Sequence, residues 1–308
     1  MNEIEIKKSI DDAIKESKKI KRGNVANYIP ELSHVDPDVI QVAMTLKDGR
    51  IITNKDFSDT KFSLQSVSKL VVLIGLLEEI GRTEVFKHVR MEPSGNDFSS
   101  VARLDQFGPL PSNPMLNAGA ISLSARIPGD SLEAKRTWQK KWMDKLFCSD
   151  LSINEKVFHS ECSYGNRNRA LAYLLKSNNV IKCDIETVMK CYFSLCSFEA
   201  SVKEASYLPM LLANKGRDKN GQSIINPQNV KYVNALMATC GLYNESGSHF
   251  VKTGMPSKSG VSGFIVSAAL GKAGVAVMSP KINTKGTSIR GEMILTYLSE
   301  KLELHFGV

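Results

Sequence analysis

FSLQSVSKLVVLIGLLEEIG, Phe62 to Gly81, is the stretch on which the fold turns. Its run from Leu70 to Leu77 is apolar on every side, and a helix of that kind lies in the middle of a protein. Lys69 opens the run and Ser66 stands three residues earlier, so at helical spacing the two side chains share one face. An ammonium at a buried helix N-terminus is costly, because desolvation and the positive end of the helix dipole both favour the neutral amine. A neutral amine beside a hydroxyl is a general base beside a nucleophile. Chance alone supplies roughly one Ser-x-x-Lys in a chain of this size. A capping serine followed by a snorkelling lysine is therefore the plain alternative.

Upstream, VIQVAMTLKDGRIITNKDF reads as a hairpin, Val39–Leu46 and Arg50–Thr53, about Asp48-Gly49. NVANYIPEL, Asn24 to Leu32, reads as a turn ending at Pro30, and Ile6, Ile10, Ala13 and Ile14 form one stripe of an opening helix. Downstream, Glu84 to Ala125 is loop-rich, with Pro93, Pro109, Pro111 and Pro114; loops of that length are often functional. Ser131–Phe147 reads as a basic helix with Trp138 and Trp142 facing the core, and helices are expected at 150–160, 164–177, 184–197, 202–215 and 227–240. After Gly241 two strands are expected, Ser259–Leu270 and Gly274–Ser279, then a closing helix Ser288–Leu302. This order implies an α/β (α+β) fold. Residues 1–60 and 245–308 together make the sheet domain, 61–244 a mainly helical domain, and the active site lies at their junction.

With 308 residues, 42% of them hydrophobic and 23% charged, the chain can bury an ordinary core. Its net charge of +8 is spread along the chain without an RRM, KH or finger pattern, so a solvated basic surface is expected rather than nucleic-acid binding. Six cysteines at 148, 162, 183, 191, 196 and 240 form no C-x-x-C and read as buried thiols of a reducing compartment. The five histidines stand far apart, which argues against zinc. The charged N-terminus lacks a signal-peptide apolar region and no run reaches a membrane span, so a cytoplasmic protein with no membrane contact is expected.

Ser-x-x-Lys hydrolases carry a second motif, Lys-Ser/Thr-Gly, on a strand bordering the site. Lys252-Thr253-Gly254 is followed by Met255-Pro256, and proline argues against a continuing strand. Lys258-Ser259-Gly260 runs into VSGFIVSAAL and is the better candidate. Gly260 permits close backbone approach, and the amide of Val261 can join that of Ser66 as an oxyanion hole. The usual Ser-Asp-Asn motif is absent; Ser177-Asn178-Asn179 comes nearest and reads as a helix C-cap.

At this point the chain resembles the serine-dependent glutaminases of bacterial type, from about Asn24 to Gly291. The resemblance rests on segments in the family order: NYIPEL (27–32), FSLQSVSK (62–69), EPSGNDFSS (92–100), NPMLNAGAI (113–121), NRNRALAYLL (166–175), YFSLCS (192–197), TCGLYNESG (239–247), PSKSGVSG (256–263) and SP (279–280). It implies the fold of serine β-lactamases and penicillin-binding proteins, an antiparallel sheet flanked by helices plus an inserted helical domain. It also implies hydrolysis of L-glutamine to L-glutamate and ammonia, without cofactor or metal, by a homodimer or homotetramer. By position, Ser66 is the nucleophile and Lys69 its base. Tyr192 and Tyr243 line the site, one of them relaying a proton to ammonia. Tyr28 reaches the pocket. Asn117, Glu161 and Asn168 hold the amino-acid end of the substrate, and Val261 contributes backbone to the oxyanion hole. Lys258, Ser259 and Gly260 support it. Ser262-Gly263-Phe264 departs from the family's Gly-Gly, and NKGRDKNG from its usual Asn-Gly form. The competing reading is another serine hydrolase, of β-lactams or esters, on the same scaffold.

Overall fold

Two antiparallel sheets organise the described residues, 2–94 and 108–307, of the computed structural model. In chain order the strands are β1 (Gln41–Leu46), β2 (Ile51–Thr53), β3 (Phe62–Ser63), β4 (Ser152–Ile153), β5 (Phe198–Ala200), β6 (Ser257–Ser259), β7 (Phe264–Ala269) and β8 (Ala273–Met278). The larger sheet runs β2-β1-β8-β7-β6 and joins the two ends of the chain. β1 pairs with β8 from Gln41 against Met278 to Leu46 against Ala273.

β1, β7 and β8 are buried at every position, so both faces of the sheet are covered. The two-residue period of a strand divides its side chains between two cores. Val42, Met44, Ile265, Val275 and Val277 join Ile6, Ile10, Ile294, Leu295 and Leu298, from the opening helix Glu3–Ser17 and the closing helix Ile289–Lys301. Ala43, Phe264, Val266, Ala276 and Met278 face the other way, into a core with the central helix Lys69–Glu79 and the helix Tyr207–Ala213. A Cβ at Gly274 would meet the Met210 nitrogen at 2.1 Å, so the backbone of that helix rests directly on β8.

The central helix is buried from Lys69 to Leu77. At its far end Glu79 accepts both indole N–H groups, Trp138 at 2.6 Å and Trp142 at 2.9 Å, as well as Lys141 Nζ at 2.9 Å. This fixes the helix Leu132–Phe147 against it, with both tryptophans on the core side as expected. Among the described residues no helix is long and apolar enough to cross a membrane.

Several local expectations need correction. The segment expected as loop from Glu84 to Ala125 contains the helix Asn117–Ser124, which the proline spacing hid because it begins beyond Pro114, and the short helix Gly81–Val85 runs into its start. The Tyr-Ile-Pro turn continues as a short helix, Pro30–Ser33, with proline at its first position. The strand expected over Ser259–Leu270 is two strands, β6 and β7, joined by a Gly260–Gly263 turn. The helix Ser246–Thr253 was not anticipated, nor was the small sheet β3-β5-β4, whose two- and three-residue strands carry too little periodicity to read. Of the cysteines only 191, 196 and 240 are buried; Cys148 and Cys183 are exposed and Cys162 lies between. Residues 95–100 of the EPSGNDFSS segment lie outside the described residues.

Candidate active site

The Ser-x-x-Lys pair lies in a 3-10 turn, Gln65–Ser68, that feeds the central helix, whose first residue is Lys69. In 3-10 geometry residues i and i+3 eclipse, which aligns Ser66 with Lys69 more directly than an α-turn does. Two features hold the turn. Leu64 N donates to Phe198 O at 2.8 Å, tying it to β5, and Gln65 takes a left-handed φ of 47°. A non-glycine residue in that region persists where its surroundings enforce it, which is common at functional sites.

Lys69 is fully buried, and its Nζ donates to Asn117 Oδ1 at 2.6 Å and to Met115 O at 3.1 Å. Both acceptors are neutral. Burial pulls the Lys69 pKa down to about 8, against a smaller opposing effect of the Cys196 thiol. A neutral amine has two N–H donors and one lone pair. The two bonds seen here use both donors and leave the lone pair for a proton.

Ser66, Tyr28, Asn117, Glu161, Asn168, Tyr192 and Val261 line one cavity of about 410 Å³. The helices Asn117–Ser124, Glu155–Tyr164, Asn166–Ser177 and Ile185–Cys196 deliver the polar groups. Asn117 Nδ2 donates to Asn168 Oδ1 at 2.9 Å, so one amide chain links Lys69, Asn117 and Asn168. Glu161 is buried, and its Oε1 accepts from Tyr28 Oη at 2.8 Å and from Gln65 Nε2 at 3.2 Å. Burial raises the Glu161 pKa while those two bonds oppose the rise. Tyr28 is 44% exposed overall, yet its hydroxyl is turned inward. Desolvation there, with Glu161 beside it, raises the phenol above its usual range. Burial, then Cys196 and Glu161, does the same to Tyr192, which keeps its proton at neutral pH.

Tyr243 is not among the residues that line this cavity, and its ring lies near both buried lysines. Lys258 Nζ lies 4.5 Å from its ring centroid and Lys69 Nζ 5.9 Å. Lys258 is fully buried and donates to Gly241 O at 3.0 Å and Ser259 O at 2.6 Å. Burial, reinforced by the charge of Lys69, holds its pKa well below the usual lysine value.

The two Lys-Ser/Thr-Gly candidates differ in position. Lys258 and Ser259 lie on β6, and a Cβ at Gly260 would stand 2.7 Å from Leu64 O and 3.5 Å from Ser66 N. Only glycine lets the strand end approach the nucleophile turn this closely, and it brings Val261 to the same cavity. Lys252 instead ends the helix Ser246–Thr253, exposed and 3.6 Å from Glu292, with Gly254 as its left-handed cap. Ser177-Asn178-Asn179 is a helix end, as expected.

Several contributors to the cavity escape sequence reasoning, among them Gln65, Tyr164, Arg167, Cys196 and the loop Ile282–Gly286. Gln65 stands next to the nucleophile in the quoted segment and could have been singled out. Cys196 lies one turn beyond Tyr192 and was treated only as a buried thiol; burial pushes it up to about 12. The loop carries only a turn signal, Asn283-Thr284-Lys285-Gly286, with nothing to connect it to the site.

Residues 23–306 match the family model described as Glutaminase. A glutaminase of Legionella pneumophila is 50% identical over 287 residues, covering 93% of this chain and 92% of its own, and one of Alkaliphilus oremlandii is 40% identical over 292 residues, covering 93% and 94%. Among solved structures, the probable glutaminase ybaS superposes with a TM-score of 0.94 at 30% identity over 98% of each chain. A probable glutaminase from Bacillus subtilis, complexed with 6-diazo-5-oxo-L-norleucine, gives 0.87 at 29% over 99% and 96%. The antiparallel sheet with flanking helices is thus the β-lactamase-like fold of solved glutaminases, and a family match over residues 23–306, which includes the Ser66–Lys69 turn, the amide chain and the Lys-Ser-Gly strand, shows that the chain belongs to the glutaminase family.

Proposed function

We propose that the protein hydrolyses L-glutamine to L-glutamate and ammonia through an acyl-enzyme on Ser66. The observation that carries this reading is the arrangement of Lys69: buried, titrating near 8, with both amine donors engaged by neutral acceptors and Ser66 one 3-10 turn away. Neutral Lys69 takes the Ser66 hydroxyl proton as Oγ bonds to the side-chain amide carbon of glutamine. The oxygen that gains charge is met by the amides of Ser66 and Val261. When the carbon–nitrogen bond breaks, a tyrosine hydroxyl, Tyr192 or Tyr243, protonates the departing nitrogen and recovers a proton from Lys69. Water then attacks the γ-glutamyl ester with Lys69 again as base, releasing glutamate and restoring Ser66.

The amino-acid end of glutamine has matching partners. The Glu161 carboxylate suits the α-ammonium, held in orientation by Tyr28 and Gln65. The amides of Asn117 and Asn168 suit the α-carboxylate. Lys258, Ser259 and Gly260 support the strand that presents Val261. The division into a sheet domain of residues 1–60 with 245–308 and a helical domain of 61–244, with the site at their junction, belongs to the same proposal. So do a cytoplasmic location and a homodimeric or homotetrameric assembly. The Bacillus subtilis glutaminase whose structure is a covalent complex with 5-oxo-L-norleucine supports a nucleophile in this family.

The test is ammonia release from L-glutamine by the purified protein, beside L-asparagine and a chromogenic β-lactam, with Ser66→Ala as control. Turnover of glutamine and its loss in the alanine variant at unchanged melting temperature are expected. Normal turnover by Ser66→Ala removes the nucleophile assignment, and a preference for the β-lactam moves the function to the competing reading.

A further inference from the structure

The outer wall of the cavity is the loop Ile282–Gly286, and one side chain organises it. Asn283 Oδ1 accepts from Lys285 N at 2.9 Å and Thr287 N at 3.1 Å, and the Asn283 backbone bonds Thr287 O at 2.9 Å. Ile282 is tied to Asn24 by two backbone bonds, 2.9 and 3.1 Å. The Asn283 amide nitrogen points away from the loop, to both oxygens of Glu245 at 2.9 and 3.1 Å. Lys285 Nζ also lies 3.8 Å from Glu245, whose side chain is only 16% exposed.

Glu245 ends the 3-10 turn that Tyr243 begins. Tyr243 has a left-handed φ of 54°, so its ring is aimed by a backbone conformation that needs support from its neighbours. Glu245 and Asn283 also line a second cavity, of about 630 Å³, which shares Ile282 and Thr284 of the loop with the first. Their contact borders this second cavity rather than lying in a packed core. Losing it loosens a wall instead of emptying a core.

We propose that Glu245 and Asn283 form a latch that sets the cavity wall and Tyr243 relative to one another, and that both act as positioning residues. The proposal rests on the glutaminase reading above for its kinetic consequence but not for its structural one. One carboxylate ties the loop that lines the cavity to the turn that carries Tyr243, whose ring lies near both buried lysines. Breaking the grip therefore acts on substrate binding, through Ile282–Gly286, and on turnover, through Tyr243.

Glu245→Ala keeps the loop's own Asn283 bonds and isolates the latch. It is expected to raise KM for L-glutamine about fivefold and to lower kcat by a similar factor, since small displacements of positioning groups carry such costs. Glu245→Gln retains one acceptor oxygen and is expected to recover most of both. The double variant Glu245→Ala/Asn283→Ala is expected to be no worse than Asn283→Ala alone, because the two residues act as one unit. An unchanged KM in Glu245→Ala, or losses that multiply in the double variant, overturns the latch. Hydrogen exchange separates this failure from that of the glutaminase reading. Peptides covering residues 281–288 are expected to exchange about tenfold faster in Glu245→Ala whether or not glutamine is the substrate. Equal exchange overturns the latch by itself.

Discussion

Moving from pH 7 to pH 8 is expected to raise kcat/KM for L-glutamine about fivefold, and little more from there to pH 9. Lys69, the proposed base, is pulled down to about 8 by burial. About one molecule in eleven then holds a neutral amine at pH 7, about half at pH 8 and about ten in eleven at pH 9. A lysine left at its ordinary value near 10.4 gives a different curve, about tenfold per pH unit with no levelling before pH 9. The sign follows from the cause. Desolvation disfavours the ammonium, so the amine loses its proton earlier than it would in water. Initial rates of ammonia release at glutamine far below KM report the free enzyme, which is the state the structure describes. Lys69→Arg serves as the control, because a guanidinium does not deprotonate in this range; about a thousandfold loss at every pH is expected, with no alkaline recovery. A flat profile for the native protein, or one that climbs tenfold per unit through pH 9, refutes the assignment of Lys69 as the buried base.

Lys258→Met is expected to lower kcat/KM about a hundredfold, whereas Lys252→Met, which removes an exposed pair with Glu292, is expected to stay within about twofold; the reverse ranking would show that the wrong Lys-Ser/Thr-Gly has been placed at the site. Gly260→Ala drives a methyl to 2.7 Å from Leu64 O, and a kcat loss of about a hundredfold with a smaller change in KM is expected from the displaced amides; normal kcat argues against Val261 as an oxyanion donor. His249 is buried and held near 4, first by burial and then by Lys252. Its folded-state value is depressed, so its contribution to stability is present above about 6.5 and lost as pH falls toward 4. Urea unfolding at pH 4.5 against pH 7 is expected to cost the native protein about 2–3 kcal/mol more than His249→Gln, and equal acid sensitivity of the two refutes the assignment.

The sheet and its long helices were legible because their signals are local. Alternation in Val42 to Leu46 and in Ile265 to Val277 sorts residues between two cores, and the all-apolar run Leu70–Leu77 has nowhere to lie but inside. The site was legible in part from chemistry and in part from resemblance. Serine and lysine at i, i+3 carry their own physical meaning, whereas Glu161 and Asn168 are ordinary helix residues until the fold turns them toward one cavity. What escaped depends on contacts distant in sequence. The β3-β5 pairing that anchors the nucleophile turn joins Phe62 to Ala200, and the wall residue Asn283 meets Glu245 across 38 positions. No window of sequence contains either relation.

The two buried lysines are best understood as one electrostatic unit. Their four hydrogen-bond acceptors, Met115 O, Asn117 Oδ1, Gly241 O and Ser259 O, are all neutral. The Tyr243 ring lies within 6 Å of both ammonium positions and can favour a cation, but far less than a carboxylate does. Two charges in that space are opposed by desolvation, and burial lowers both lysines, with Lys69 adding to the effect on Lys258. Lys258 donates to Gly241 O and Ser259 O as a strut between the Gly241 turn and β6, and Lys69, at about 8, keeps a proton equilibrium in the physiological range. A carboxylate beside either lysine would destroy the arrangement, since it would hold the ammonium and remove the base. Among the described residues the acceptors of both lysines are neutral, and this is what fits Lys69 for the proposed base's work at the head of a buried helix.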